Sequence, residues 1–301
     1  MNNIEISVIM SVYKESINWI SQSIESILVQ TYENFEFLIV DDNPEDSVLL
    51  TFLRKYEFKD QRVKIIVNEK NIGLTKSLNI ALRQASGKYI ARMDADDISM
   101  SNRLELQYNY MNSSPETIVL GSNFSYIGDK SVVRRKDQIR FDDKSIKAQM
   151  LFVNCIPHPS VMIRKSILDK YDIKYDEEYR HGQDYRMWEV LIPYGKFACL
   201  HDKLLKYRFS KQQITTSNKQ SQNDYASTVR TRLQKKWLDG IGYSYEEKTI
   251  LSDPLVIIRK IRYDNSINKS LEFQAFIQYA YLNSDTALWN VREFLLSLIH
   301  I

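Results

Sequence analysis

Apolar and polar positions along the N-terminal half follow two interleaved rhythms. Four short apolar runs read as strands: "ISVIMSVY" (6–13), "FEFLIVDD" (35–42), "VKIIVN" (63–68) and "KYIARMD" (88–94). Between them, apolar residues recur every three or four positions, the spacing of a helix with one buried face. Ile17, Ile20, Ile24, Ile27 and Leu28 share a stripe, and Ser16 before them is suited to cap the helix. A second helix is predicted near 47–56. A third spans "GLTKSLNIALRQASG" (73–87), with Leu74, Leu78, Ala81, Leu82 and Ala85 inward and Gly87 ending it. Strands alternating with helices in this rhythm predict a parallel, doubly wound sheet.

Such sheets bind ligands beyond the carboxyl ends of their strands. The predicted strands deliver polar groups to that edge. Strand one ends at Ser11 and Tyr13, strand two at Asp41 and Asp42, strand three near Asn68, Asn71 and Gly73, and strand four at Asp94, Asp96 and Asp97. A solvated edge is polar anyway, and an acidic pair can simply cap the next helix. Acidic groups gathered at two separate strand ends are the stronger signal. An Asp-x-Asp arrangement suits a hard divalent ion that prefers oxygen ligands and is shared with substrate phosphates.

From about Thr117 the rhythm changes. "TIVLGSNFSYIG" reads as a strand or hairpin arm, a helix follows near 145–152, then "HPSVMIRKSIL", and another helix is predicted over 184–192. After about Asn218 the chain reads as helical and rather basic, in "VRTRLQKKWL", "IIRKIRY" and "WNVREFLLSLI". The expected organisation is a main domain over 1–217, divided at 105/106 into two halves, with a helical region over 218–301.

Composition narrows this little. The balance of 41 basic to 38 acidic residues is too even to point to nucleic acid. Two cysteines, Cys155 and Cys199, provide neither a zinc set nor a disulfide framework, which fits a reducing compartment. No apolar run approaches the length of a membrane span, so a cytoplasmic location is expected. The basic C-terminal helices read most simply as a solvated face, with peripheral contact with the inner face of a cytoplasmic membrane as the lesser reading.

Taken in order, "VIMSVYKE", "SILVQTY", "FLIVDDN", "NIGLTKSLNIAL", "SGKYIARMDADD" and "NRLELQ" resemble glycosyltransferase family 2, the inverting enzymes with a GT-A fold. "HPSVMIRKSIL", "QDYRMWEVL" and "YRFSKQQIT" extend the likeness to about residue 215. The resemblance is to bacterial enzymes that build O-antigen or capsule repeats. It implies an α/β fold with a Rossmann-like mixed sheet. It also implies a UDP-sugar donor, Mn2+ or Mg2+, and a saccharide acceptor carried on undecaprenyl diphosphate.

The resemblance assigns roles position by position. Ser11 and Tyr13 match residues lining the nucleobase pocket, and Asp41 and Asp42 match the pair that binds uracil. Lys76 lies where a further base or phosphate contact is usual. Asp94 matches the ribose or metal position and Asp96 the direct metal ligand, with Asp97 behind them. In Gln183-Asp184, Asp184 matches the catalytic base. His158, Gln183 and Trp188 fall near the acceptor and donor-sugar pocket. Tyr207-Arg208 matches a loop over the diphosphate, with Ser210 where the family often has His. The implied reaction moves a hexose, glucose or galactose favoured, to an acceptor hydroxyl with a β-linkage. A sugar nucleotidyltransferase would carry a Gly-rich loop after strand one, where "SVYKESINW" has none; a non-catalytic scaffold would not need the acidic set.

Overall fold

The four apolar runs form four parallel strands: β1 (Ile6–Val12), β2 (Phe35–Asp41), β3 (Val63–Val67) and β4 (Tyr89–Arg92). The structure, a computed structural model, describes residues 4–128, 141–151, 153–209 and 219–240. Successive side chains of a strand face opposite ways, and both faces of β2 are covered. Phe35, Phe37 and Ile39 enter one apolar cluster, while Leu38 and Val40 enter the other. That is why these runs are continuously apolar rather than alternating.

The helices form as their periodicity predicts. Helix α1 (Ile17–Leu28) starts at Ser16, whose side chain accepts the Trp19 N–H, and buries Ile20, Ile24 and Ile27. Ile17, expected on the same stripe, stays exposed at the helix's first residue. Helix α2 (Ser47–Lys59) is capped by Asp46, and α3 (Leu74–Gln84) follows Gly73. Gly73 sits at φ 87°, in the left-handed region that suits glycine.

Gly87 does not end α3. The helix is over by Ala85, and Gly87 instead crosses β1 closely: a Cβ there would lie 2.5 Å from the Ser7 nitrogen and 2.7 Å from the Ile6 carbonyl carbon. Its own N–H donates to Ser7 Oγ at 2.8 Å.

Past β4 the chain makes a short β5 (Ile98–Ser99) and α4 (Arg103–Ser113), then β6 (Thr117–Gly128) and α5 (Asp143–Met150). Next come β7 (Met162–Arg164), α6 (Lys165–Lys170), α7 (Gln183–Leu191), β8 (Lys196–Phe209) and α8 (Lys219–Gly240). One eight-stranded sheet results, ordered β3-β2-β1-β4-β7-β6-β8-β5. The parallel half is β3-β2-β1-β4; β7 runs against both β4 and β6, and β6 and β8 are parallel to each other. The sheet is therefore mixed. Two reversals around β7 leave β6 and β8 aligned with β1 to β4, so six strands end on the same edge.

Helix α8 packs on this domain. Val229 and Leu233 join the apolar cluster that contains Leu78, Trp188 and Leu191. Arg232 donates to both oxygens of Glu189 on α7, at 2.6 and 2.7 Å, and to the Tyr179 hydroxyl at 2.7 Å. The basic runs "IIRKIRY" and "WNVREFLLSLI" and the position of Ser210 lie outside the described residues.

Gly87→Ala is expected to lower stability by about 1–3 kcal/mol, because the added methyl meets backbone that cannot swing away. The check is urea denaturation, with a lower midpoint at unchanged slope.

Candidate functional site

The site forms where the aligned strands end. The end of β2 presents two aspartates in different states. Asp42 is fully engaged. Its Oδ1 accepts from Asn68 Nδ2 and the Ile72 N–H, both at 2.8 Å, and its Oδ2 accepts from Asn71 Nδ2 and the Gly73 N–H, both at 2.9 Å. Asp42 thus shapes the β3–α3 loop. Asp41 is also fully buried, but only Oδ1 is engaged, accepting the Asn43 N–H at 2.9 Å; Oδ2 has no hydrogen-bond partner. Burial pushes the Asp41 carboxyl up, with Asp46 and Asp42 adding repulsion. Of the expected uracil-binding pair, Asp41 has an acceptor to spare, whereas Asp42 is committed to the loop.

Tyr13, partly exposed, follows β1, with the Lys14 ammonium 4.8 Å from its ring centre, and its N–H donates to Glu15 Oε2 at 2.8 Å. Burial pushes Glu15 up, and Asp94 repels it. Glu15 thus faces the aspartate turn, a neighbour the strand pattern did not reveal. Ser11 is half-buried in β1, and Lys76 is exposed in the first turn of α3.

The turn after β4 gathers Asp94, Asp96 and Asp97, with ligand-type oxygens within 4.8 Å of one another. Ser23 of α1 donates to the Asp94 carbonyl at 2.8 Å, fixing the turn from below. Arg208 ties it to the end of β8. Its N–H donates to Asp97 Oδ1 at 2.7 Å, its Nε to the Asp96 carbonyl at 2.6 Å and its Nη2 to Gln22 at 2.7 Å, while the guanidinium lies 5.0 Å from the Trp19 ring centre. Arg208 is therefore docked between the turn and α1. Asp97 is buried, and its Oδ2 lacks a hydrogen-bond partner. Burial and the charges of Asp94 and Asp96 push its carboxyl well up. An all-oxygen set with an orphaned buried carboxylate oxygen fits a hard divalent cation held by Asp94 and Asp96.

Arg92, the last residue of β4, is buried and ion-paired with Asp94. Burial opposes its charge, and Asp94 more than restores it. The sequence did carry a signal here, since a basic residue inside an otherwise apolar strand requires a partner.

Asp184, the expected base, is the second residue of α7. Its Oδ2 accepts from Asn154 Nδ2 at 2.6 Å and its Oδ1 from the Tyr185 N–H at 2.8 Å. Burial raises the carboxyl; those two donors and the Arg92 charge hold it back. Nothing in the sequence marked Asn154. The loop before α7 hangs on α3, where Asn79 exchanges hydrogen bonds with the Tyr175 backbone at 2.9 Å and Thr75 donates to the Tyr179 carbonyl at 2.9 Å.

The three residues expected near the sugar pocket are all buried. Trp188 is wholly buried, edge-on to His158 and Phe197, and packs in the core. His158 lies in a short 3-10 turn, buried, with Nε2 at 2.7 Å from the Tyr175 hydroxyl. Burial and the nearby Arg92 hold it well below the usual imidazole range, so it is neutral and supports Tyr175 from beneath. Gln183 is likewise buried, at the start of α7.

A family model described as Glycosyl transferase family 2 matches residues 7–172. An uncharacterized glycosyltransferase of Methanocaldococcus jannaschii is 36% identical over 234 residues, 77% of this chain and 80% of that protein. The Escherichia coli UDP-Glc:alpha-D-GlcNAc-diphosphoundecaprenol beta-1,3-glucosyltransferase WfgD is 32% identical over 220 residues, 72% of this chain and 82% of that protein. The crystal structure of S. aureus TarS 1-349 in complex with UDP-GlcNAc superposes with a TM-score of 0.63 at 19% identity, covering 92% of this chain and 80% of that one.

The two aspartates of β2 are expected to separate in stability. Asp42→Ala strands four donors, two of them backbone N–H groups, and should cost about 2–4 kcal/mol. Asp41→Asn keeps the acceptor for Asn43 and should stay within about 1 kcal/mol of the parent. Chemical denaturation of both variants at pH 7 is the check.

Proposed function

The chain belongs to glycosyltransferase family 2 and has its GT-A fold, and from that premise we propose that it moves a hexose, with inversion, from a UDP-sugar to a lipid-linked saccharide. The observation that carries this reading is Asp184. It is a carboxylate fixed by two donors and raised by burial, within electrostatic reach of Arg92, which is ion-paired to the oxygen-rich aspartate turn. A base of that kind needs a rigid orientation and an affinity for protons closer to neutrality than a surface aspartate has.

In the reaction, an acceptor hydroxyl donates its proton to Asp184 as its oxygen bonds to the sugar's C1. The bond from C1 to the diphosphate oxygen breaks, and the electron pair leaves with UDP. Attack from the opposite face turns an α-linked donor into a β-linked product. Asp184 can play this part because Asn154 and the Tyr185 N–H lock the carboxylate in place while leaving it lone pairs for the incoming proton. Asp94 and Asp96 would hold Mn2+ or Mg2+, which when bound supplies positive charge against the diphosphate. Asp41 Oδ2 supports uracil, whose ring N–H is a donor of the required kind. Glucose or galactose is the favoured sugar and a saccharide on undecaprenyl diphosphate the favoured acceptor. The named donor and acceptor of WfgD support this choice. Surface-polysaccharide assembly at the cytoplasmic face of a membrane follows from it. Among the described residues no helix is long and apolar enough to cross a membrane.

Asp184→Asn should retain UDP affinity while transfer falls about a hundredfold to ten-thousandfold, the usual worth of a positioned base. Initial rates with UDP-glucose, UDP-galactose and a GlcNAc-diphosphate-lipid, beside calorimetry with UDP, test it; near-normal transfer would remove Asp184 from the role. The pH profile carries a sign. A base must be unprotonated, so kcat/KM should rise with pH through an Asp184 pKa above the ordinary aspartate range, and that limb should vanish in Asp184→Asn. Chelation by EDTA and Asp96→Ala should each abolish transfer, with restoration by Mn2+ in the parent alone; full activity in EDTA would refute the metal assignment.

A further inference from the structure

Arg92 is a buried cation beside the aspartate turn, and the proposed reaction gives it no step. The residue is 2% exposed, and Nε and Nη1 lack hydrogen-bond partners although Nη1 is ion-paired with Asp94. The Arg92 backbone is fixed on both sides. Its N–H is bound to the Val161 carbonyl at 3.0 Å, its carbonyl accepts from Arg103 Nη2 at 2.8 Å, and the chain on both sides is buried. A buried cation with unmade hydrogen bonds destabilises the fold unless neighbouring anions compensate.

Its placement has an electrostatic result. Three carboxylates within 4.8 Å would attract a divalent cation without help. Arg92 puts a fixed positive charge against one of them, in a low-dielectric setting where that charge is poorly screened. We infer that Arg92 is a positioning residue that makes cation entry depend on the nucleotide: by occupying Asp94 it keeps the cluster's affinity for free Mn2+ or Mg2+ low, until a diphosphate brings the missing negative charge. The inference rests on the proposed use of a nucleotide diphosphate at this site. It adds an order of loading and a residue that sets it. When the cation and diphosphate are both present, their charges together are near neutral or negative, and Arg92 no longer opposes them. Glu15, within electrostatic reach of both Arg92 and Asp94, adds an acid to the same balance.

The test is Mn2+ titration of the full chain, followed by the electron paramagnetic resonance signal of free Mn2+, with and without UDP. The parent should bind Mn2+ at least about tenfold more tightly with UDP present. Arg92→Met should gain at least about tenfold in affinity for Mn2+ alone, shrinking the effect of UDP, and Arg92→Lys should return it toward the parent. A merely structural Arg92 would lower the melting temperature of Arg92→Met without raising its Mn2+ affinity, and that result overturns the inference. So does a parent that binds Mn2+ equally well with and without UDP, a measurement that needs no variant to fold. Failure of the proposed function looks different: calorimetry would then show no UDP binding to the parent at any Mn2+ concentration, while the comparison of parent and Arg92→Met in Mn2+ alone still reads the Arg92 effect.

Discussion

The guanidinium of Arg103 joins the two halves of the sheet, and the site depends on that tie. Arg103 is wholly buried under the aspartate turn. Its Nη2 donates to the Arg92 carbonyl at the end of β4 and, at 3.3 Å, to the Val161 carbonyl just before β7; its Nε donates to Gln107 at 3.0 Å. Gln107 passes the connection on to the Ser160 carbonyl at 2.8 Å and the Leu120 carbonyl at 3.2 Å. Four carbonyls at the junction of β4, β7 and β6 thus find donors on α4. Without them, these buried carbonyls would lose donors where the sheet changes from parallel to antiparallel, although Val161 would keep the Arg92 N–H. Burial and the nearby Arg92 push Arg103 down to about 9, still high enough to keep it charged at neutral pH.

Two buried arginines back to back call for anions, and the turn supplies them. Asp94 pairs with Arg92, and Asp97 lies within electrostatic reach of both guanidinium groups. The charge that would attract a cation from above therefore also stabilises the strand junction from below. Gln30 completes the support. It accepts the Leu104 N–H at 2.9 Å at the start of α4 and donates to the Met100 carbonyl at 2.7 Å, so the end of α1 fixes the chain between the turn and α4. This accounts for "VQTY" and "NRLELQ" standing among the recognisable blocks: Gln30, Arg103 and Gln107 hold the turn in place.

The surroundings of Asp184 are built on a different principle. Asp184 sits at the start of a helix whose far side is braced by Glu189, which takes both Arg186, at 2.9 Å, and Arg232 of α8. The loop before it is held by the polar face of α3, through Thr75 and Asn79. Helix α3 is therefore buried on two sides. Leu78 and Ala81 meet the sheet, as their spacing predicts, while Thr75 and Asn79 hold a loop about a hundred residues further along the chain.

The strands, the helices and the acidic strand ends were legible in the sequence because period and composition are local properties. Apolar runs of strand length can be stable only when covered on both faces, and an Asp-x-Asp after such a run marks the sheet edge where ligands bind. What the sequence could not separate was the fate of like residues. Asp41 and Asp42 are adjacent and identical, yet Asp42 meets four donors from the β3–α3 loop while one oxygen of Asp41 meets none. Gly87 reads as a helix stop and proves to be a close crossing of β1. Trp188 falls one turn from Asp184 on the helix, yet points into the core. Each of these outcomes depends on groups distant in sequence, and only the folded arrangement of α3, β7 and α7 decides which side chains meet.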